Sequence, residues 1–323
     1  MTSRAFAMTP SVSIIIVSFN TESVLRECLA AVTRHCDARR TEVIVVDNAS
    51  SDGSCNMVRR EFPQVVLIAS PTNLGFGAAN NVGVEAARAP VVLLLNSDAI
   101  VSCDAGEALA AHLAAHEDIA CIAPRIVLPD GHPQPKSFGH LPSLWRIAMQ
   151  SFGLNRLLPG FALLAGVDGE ARRERQMTVG WVSGVCMAMR RAPFRAIGGF
   201  DPRFFMYCED VDLCRRLARY GRIVTLDECP VMHYGGASSK TLSHRVRNAV
   251  WQQSNLLTIV RDTSGTGHER LARAIMLPGL LLRLLVGASL VPRSGIRGNF
   301  ILAAAWARLV CVVRGGPGEA VTR

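Results

Sequence analysis

The sequence predicts an α/β protein built on an open, mostly parallel sheet with helices on both faces, followed by a helical appendage. Three observations carry this prediction. Short runs rich in Val, Ile and Leu alternate with segments whose apolar residues recur at helical spacing. Those runs end in polar residues, the pattern of strands that hold a ligand at their carboxyl ends. Beyond residue 240 the strand pattern stops and helical spacing continues.

The elements follow in order. SVSIIIVSFN reads as a central parallel strand ending in Ser18-Phe19-Asn20. TESVLRECLAAVTRHC puts Val24, Leu25, Cys28, Leu29 and Val32 on one helical face, with Thr21 as the N-cap. TEVIVVDNAS is a second strand closing on Asp47, and VVLIAS a third. NNVGVEAARA reads as a helix, and APVVLLLNSDAIV as a fourth strand ending in Asn96-Ser97-Asp98. An acidic, alanine-rich helix precedes the Pro/Gly-rich loop LPDGHPQPKSFGHLP. GEARRERQ (169–176) is a charged loop, and TVGWVSGVCMAMRR returns to strand character. The glycine turn AIGGFDPRFFMY leads into CEDVDLCRR, and GRIVTLDECPVMHYGGASS is a strand with a histidine-bearing loop. RDTSGTGHER (261–270) reads as a linker before apolar helical segments at 271–291 and 299–313.

Composition narrows the function classes. A chain of 323 residues accommodates one large α/β domain and a smaller appendage. It is 49% hydrophobic and 19% charged, but most apolar runs are under ten residues, which excludes a multi-span membrane protein. The net charge of +9 is nearly all arginine, since Lys136 and Lys240 are the only lysines. Such a surface suits phosphorylated substrates or anionic lipid. Aromatics at 6% offer little base-stacking surface, so no nucleic acid is expected. The ten cysteines include no C-x-x-C pair and read as buried, reduced thiols of a cytosolic protein. The Val12–Val17 run is too short for a signal core, so no export signal is expected.

Candidate site residues cluster at the strand ends. Asp98 closes an apolar strand, where a carboxylate can hold a divalent ion on a diphosphate or simply cap a turn. Asp47 could accept a bond from a nucleobase N–H or a ribose hydroxyl, whereas Ser50, Ser51 and Asp52 serve equally well as helix caps. Gly75 to Asn80 spells G-x-G-x-x-N, one glycine short of the dinucleotide fingerprint, and a nicotinamide enzyme fits poorly. A helix over 208–219 would place Asp210, Leu213, Cys214 and Leu217 on one face, turning Asp210 inward. Glu209, Asp212 and Arg216 would lie on the other side, with Asp212 and Arg216 as an i, i+4 ion pair. Partial burial would suit Asp210 to act as a general base. His233 reads as a structural histidine or as part of a phosphate- or metal-contacting loop with Gly235, Gly236, Ser238, Ser239 and Lys240.

Seven ordered motifs across residues 11–240 together resemble the family 2 inverting nucleotide-sugar glycosyltransferases of GT-A fold, with the rhamnosyltransferase-like members nearest. They are SIIIVSFN, VIVVDNASSDGS, NLGFGAANNVG, LLLNSDAIV, GWVSGVCMAMRR, GGFDPRFFMYCEDVDLCRR and MHYGGAS. The resemblance implies a Rossmann-like catalytic domain at 1–240 and a separate helical region at 241–323. It implies a donor pocket of Ser18, Asn20, Asp47, Asn73, Gly75, Asn80 and Ser97, with Asp47 on the base. Asp98 and His233 would hold Mg²⁺ or Mn²⁺, with Asn96 standing where the family often has a first aspartate. Asp210 matches the family's base, with Glu209 beside it. Trp181, Ser183, Gly184 and Phe205 would shape the acceptor and sugar pocket. The implied reaction moves a sugar, L-rhamnose from dTDP-L-rhamnose in the nearest members, onto a hydroxyl of a cell-surface glycan or polyprenyl-linked acceptor. Another nucleotide sugar, UDP- or GDP-linked, is the alternative. A nucleotidyltransferase should carry a basic, glycine-rich loop after the first strand, where this chain has SFNTES. A degenerate scaffold would not keep Asp47, Asp98, Asp210 and His233 together.

Residues 274–291 are of borderline spanning length, interrupted by Pro278 and Arg283. They are expected to lie on the cytoplasmic leaflet, with Arg270, Arg273, Arg283, Arg293 and Arg297 near anionic headgroups. Docking on the catalytic domain or a partner subunit is the alternative, and a homo-oligomer is left open.

Overall fold

The structure, a computed structural model, describes residues 9–154, 175–235 and 242–314. The charged loop through residue 174 and the loop residues Gly236, Ser238, Ser239 and Lys240 lie outside the described residues. The chain forms two compact units. One holds residues 9–138, 175–205 and 209–235; the other holds 139–154, 206–208 and 242–314.

The first unit opens with β1 (Val12–Ser18), α1 (Glu22–His35), β2 (Thr41–Asp47), α2 (Ser54–Glu61), β3 (Val66–Ala69) and α3 (Phe76–Ala86). It continues with β4 (Val91–Asn96), β5 (Ala99–Val101), α4 (Ala105–Ala115) and β6 (Ile119–Val127). After β7 (Phe138–Gly139) and α5 (Leu144–Ser151) come β8 (Gln176–Val179), β9 (Trp181–Val182), β10 (Cys186–Arg190), α6 (Arg191–Ala196), α7 (Glu209–Leu217) and β11 (Arg222–His233). The main sheet runs β3-β2-β1-β4-β10-β6-β11-β5, with β8 also on β11. β1 pairs in parallel with β2 and β4, β2 with β3, and β6 with β11, whereas β10 is antiparallel between β4 and β6.

Burial explains the continuous apolar runs. β1 and β4 are interior strands covered on both faces, so Ile14, Ile15, Ile16, Leu93 and Leu94 are all within 1% of complete burial. Each such side chain contributes roughly 1.5–3 kcal/mol by leaving water. Helix α1 buries Leu25, Cys28, Leu29 and Val32 against this sheet, the face predicted for it.

Four local readings are corrected. Thr21 does not cap α1 with its side chain; Asp52 Oδ2 accepts the Glu22 N–H from the neighbouring loop at 3.0 Å. Thr21 Oγ1 is drawn instead to Ser97 and Ser18. The glycine motif is the start of α3, which begins at Phe76. Gly75 has φ of +82°, and a Cβ there would lie 2.4 Å from the Phe205 carbonyl oxygen. Two of the ten cysteines are not free: Cys103 and Cys229 are joined by a disulfide. The antiparallel register of β5 and β11, Val101 opposite Val231, carries on to set these two residues opposite each other.

The fourth correction concerns the opening of α7. Asp212 is 1% exposed and Glu209 7%, whereas Asp210 is only half-buried. The predicted inward residues Leu213, Cys214 and Leu217 are fully buried, but the phase allowed only one buried face and so missed the burial of Glu209 and Asp212. Arg216 folds over and donates to the carbonyls of Ile197 and Gly199, at 3.0 and 2.6 Å, covering the second face. Asp212 then accepts from both Arg215 and Arg216 at 2.7 Å. Truncating Asp212 to Ala leaves two largely buried guanidinium groups without their carboxylate. Loss of about 3–5 kcal/mol of unfolding free energy is expected, read from denaturant titration.

In the second unit, α8 (Leu242–Arg314) is helical through the predicted linker, but Gly265 takes φ of +87°. The run is not one rod. A straight helix would hold residues 273 and 312 about 58 Å apart at 1.5 Å per residue. Yet Arg273 donates to the carbonyls of Cys311 and Val312, and Gln253 reaches Met276. The chain therefore reverses twice within the run. Ile147 of α5 packs with Leu257, Val260, Met276, Leu280 and Val312 as the core of this unit. Arg283, the charge that interrupts the apolar segment, donates to the carbonyls of Gln150 and Ser151.

Candidate active site

The strand order places β1 between β2 and β4, so their carboxyl ends open on one crevice. Hydroxyl groups stitch it together. Thr21 Oγ1 lies 2.9 Å from Ser18 Oγ and donates to Ser97 Oγ at 3.1 Å, joining the ends of β1 and β4. Asn20, at φ of +54°, accepts from the Ser51 N–H through its side-chain oxygen at 2.8 Å, joining the loops after β1 and β2.

Asp47 ends β2 and is 3% exposed. Its Oδ1 accepts from the Ser50 N–H at 3.0 Å, and the Cys55 thiol is a further hydrogen-bond partner of the carboxylate. The next residue, Asn48, organises the glycine loop. Its amide donates to Asn73 Oδ1 at 2.9 Å and to the Gly75 carbonyl at 3.2 Å, and its oxygen accepts from Leu74 N–H. Asn73 thus spends its oxygen inside the loop. Asn80, 1% exposed, bonds the Phe76 carbonyl one turn back along α3.

Asp98 lies just past β4, and His233 ends β11. Both are buried, and His233 Nε2 stands 2.9 Å from Asp98 Oδ1. Asn96 Nδ2 is 3.4 Å from the same ring nitrogen. The other nitrogen, Nδ1, is 2.6 Å from Gln134 Oε1. With Gln134 accepting the Nδ1 proton, a neutral ring turns its Nε2 lone pair toward Asp98. Two acceptors at that separation are satisfied by a second ring proton or by a cation between them. Among the described residues no group of three His, Cys, Asp or Glu side chains could hold a metal. An ion at Asp98 and His233 would need its remaining ligands from a substrate diphosphate and water. Gln134 gave no signal in the sequence, because its role depends on a loop folding back on β6 through its N–H bond to the Ile126 carbonyl.

Asp210 occupies the first turn of α7. Its Oδ2 accepts from the Gly184 N–H at 3.2 Å, and its Oδ1 from the Val211 N–H at 2.8 Å. Burial outweighs these donors and raises its carboxyl to about 6. Glu209 is pushed well above the usual carboxylate range by burial and by the charge of Asp210, and its Oε2 has no hydrogen-bond partner among the described residues. The same backbone segment binds both halves of the site: the Val185 carbonyl, one residue beyond Gly184, accepts from Asn96 N–H at 2.9 Å.

Gly184 must be glycine here. A Cβ would lie 2.8 Å from the Phe76 ring, which packs over the backbone that addresses Asp210. Gly184→Ala is expected to keep the fold but lower kcat about 100-fold through displacement of that N–H, checked by steady-state kinetics alongside thermal melting. Phe205 completes this corner, its carbonyl accepting from Phe76 N–H at 3.1 Å. Trp181 is buried in β9, and Ser183 Oγ accepts from Val185 N–H. The structure therefore joins Gly75, Gly184, Phe205 and Asp210 around Phe76, and Asn96, Asp98 and His233 around one imidazole.

The fold is thus an α/β sheet with polar residues at its strand ends and an acidic pair, Glu209 and Asp210, of which Asp210 is held by backbone donors. The family model described as "Glycosyl transferase family 2" matches residues 13–198. The chain belongs to glycosyl transferase family 2, and it is a glycosyltransferase. It is 30% identical over 244 residues to N-acetylglucosaminyl-diphospho-decaprenol L-rhamnosyltransferase of Mycobacterium tuberculosis, covering 72% of this chain and 78% of the relative. It is 26% identical to the low-salt glycan biosynthesis hexosyltransferase Agl10 of Haloferax volcanii, over 70% of this chain and 66% of that protein. The mannosyltransferase PcManGT from Pyrobaculum calidifontis, solved with GDP-Man and Mn²⁺, has TM-score 0.54 at 16% identity, covering 94% and 88% of the two chains. Residues 1–349 of S. aureus TarS, solved with UDP, give 0.53 at 16% identity over 94% and 92%. These likenesses establish the GT-A fold.

Proposed function

We propose that this enzyme is a metal-dependent inverting glycosyltransferase that moves L-rhamnose from dTDP-L-rhamnose to a hydroxyl of a polyprenyl-diphosphate-linked or cell-surface glycan acceptor. The observation that carries the mechanism is Asp210, half-buried, raised to about 6 and held by two backbone N–H groups. Ionised at neutral pH and poorly solvated, it takes the proton of the acceptor hydroxyl. The acceptor oxygen then bonds to the anomeric carbon as the bond to the diphosphate oxygen breaks on the opposite face. The nucleoside diphosphate leaves, and the configuration inverts. A divalent ion, Mg²⁺ or Mn²⁺, held by Asp98 and His233 would offset the charge on that leaving diphosphate. Asp47, buried at the end of β2, would accept from an N–H of the base. Asn20, Asn73, Gly75 and Ser97 line the donor side, and Trp181, Ser183, Gly184 and Phe205 the acceptor side.

The rhamnosyl and lipid-linked assignments rest on the mycobacterial relative, whose name gives both sugar and acceptor. In α8, Leu271, Leu281, Leu282 and Leu285 are half or more exposed, an apolar face suited to lie on the cytoplasmic leaflet beside such an acceptor. The span Leu242–Ser289 is also long and apolar enough to cross a membrane by length and composition. Carbonate washing separates these states: release to the supernatant supports a peripheral helix, and retention a spanning one.

The defining experiment incubates the full chain with Mn²⁺, an N-acetylglucosamine-diphospho-polyprenol and dTDP-L-rhamnose, UDP-sugars or GDP-sugars in turn. Nucleoside diphosphate release and labelled product are measured. Turnover with dTDP-L-rhamnose supports the reading; preference for a UDP- or GDP-sugar replaces the donor, and no turnover with any donor sinks it.

A further inference from the structure

The turn before the acidic pair is unusual. Tyr207 and Cys208, both carrying a Cβ, have φ of 67° and 65°. Non-glycine residues in this left-handed region are strained, and two in succession require a surrounding that holds them there. That surrounding is one turn of α8. Asn255 Nδ2 donates to the carbonyl of Met206 at 3.0 Å and to that of Tyr207 at 2.8 Å, using both hydrogens of one amide. Gln252, three residues earlier on the same helical face, offers its carbonyl to Cys208 Sγ at 3.7 Å. Three consecutive residues are thus gripped by two positions of one helix, all within the second compact unit. The Cys208–Glu209 peptide bond carries the consequence onward, because the direction of the chain leaving this turn sets the first residues of α7.

We propose that Asn255 is a positioning residue for the transfer reaction: by clamping the left-handed Tyr207–Cys208 turn, it sets the backbone from which Asp210 is presented to the acceptor. Asn255 lies outside the span matched by the family model, so nothing in that match assigns it a role. The inference rests on Asp210 being the base, and the test separates the two.

Asn255→Ala removes the clamp, and Asn255→Asp sets carboxylate oxygens against the two carbonyls at nearly constant volume. Both are expected to lower kcat 10–100-fold with the donor KM little changed, the size of effect that misplacing a catalytic group by about an ångström produces. Adding Cys208→Gly to Asn255→Ala is expected to recover most of that loss, because glycine holds a positive φ without help. In an Asp210→Asn background, Asn255→Ala should cost little more, since the residue acts through Asp210. Wild-type kcat in both Asn255 variants overturns the inference, as does an undiminished loss in the Asp210→Asn background. Failure of Cys208→Gly to rescue also counts against it. If Asn255→Ala does not fold, Asn255→Asp with and without Cys208→Gly decides the matter. Full activity of Asp210→Asn alone overturns the base assignment instead.

Discussion

Asp210→Asn lowers kcat by about 10³-fold while leaving donor binding nearly intact, within the range that removal of a general base produces. The substitution keeps the shape of the side chain but removes its capacity to accept a proton. It also turns an NH₂ group toward one of the two N–H donors, Gly184 or Val211, that now hold the carboxylate. The loss should therefore appear in kcat more than in the donor KM. The pH dependence gives a second handle. Asp210 is raised to about 6 because burial penalises its charge. The ionised form is the active one, so wild-type kcat rises as pH rises through about 6 and levels off above it. Glu209 is raised as well, and each group's charge bears on the other, so the acid limb reports the pair. Glu209→Gln removes the neighbouring ionisable group and should move that limb to lower pH. A limb unmoved by Glu209→Gln, or an Asp210→Asn enzyme of wild-type kcat, sinks the assignment.

The second large effect is expected at Asp98. Its carboxylate and His233 Nε2 stand 2.9 Å apart, and the chain supplies no third acidic or histidine ligand among the described residues. On the proposed reading these two side chains are the protein's ligands to the ion, so losing one should be severe. Asp98→Ala is expected to abolish detectable Mn²⁺ binding by calorimetry and to lower kcat/KM by several kcal/mol of transition-state stabilisation, on the order of 10³-fold. His233→Ala should follow in the same direction with a smaller loss, because Asp98 carries the charge. Asn96 stands where a further carboxylate would strengthen the site. Asn96→Asp is thus a natural gain-of-affinity control, expected to tighten Mn²⁺ binding if the ion sits beside this residue. Unchanged Mn²⁺ affinity in Asp98→Ala would place the ion elsewhere.

Much of this was legible in the chain. Continuous apolar runs such as SIIIVS can only be strands covered on both faces, and their polar ends marked Ser18, Asp47 and Asp98 as one layer before any contact was known. The order of seven motifs specified the family. Helical phase alone, however, misassigned the acidic cluster. It treats α7 as having one buried face, whereas Arg216 bonds the carbonyls of Ile197 and Gly199 and closes the other. Asp212 became the buried partner of two arginines, and Asp210 the half-buried carboxylate held by backbone N–H groups. Gln134 and Asn255 were silent for a related reason. Each acts on a residue far along the chain, His233 and the Met206–Tyr207 carbonyls, and no local pattern records such a meeting.

By itself the sequence determined the strands, the layer of polar residues at their ends and the residue types available there, because these follow from periodicity and local chemistry. Tertiary structure alone decided which carboxylate pairs with the arginines, which ring nitrogen faces Asp98 and which cysteines pair. Those outcomes depend on partners brought in across the sheet and around the helices, and on how much water they exclude.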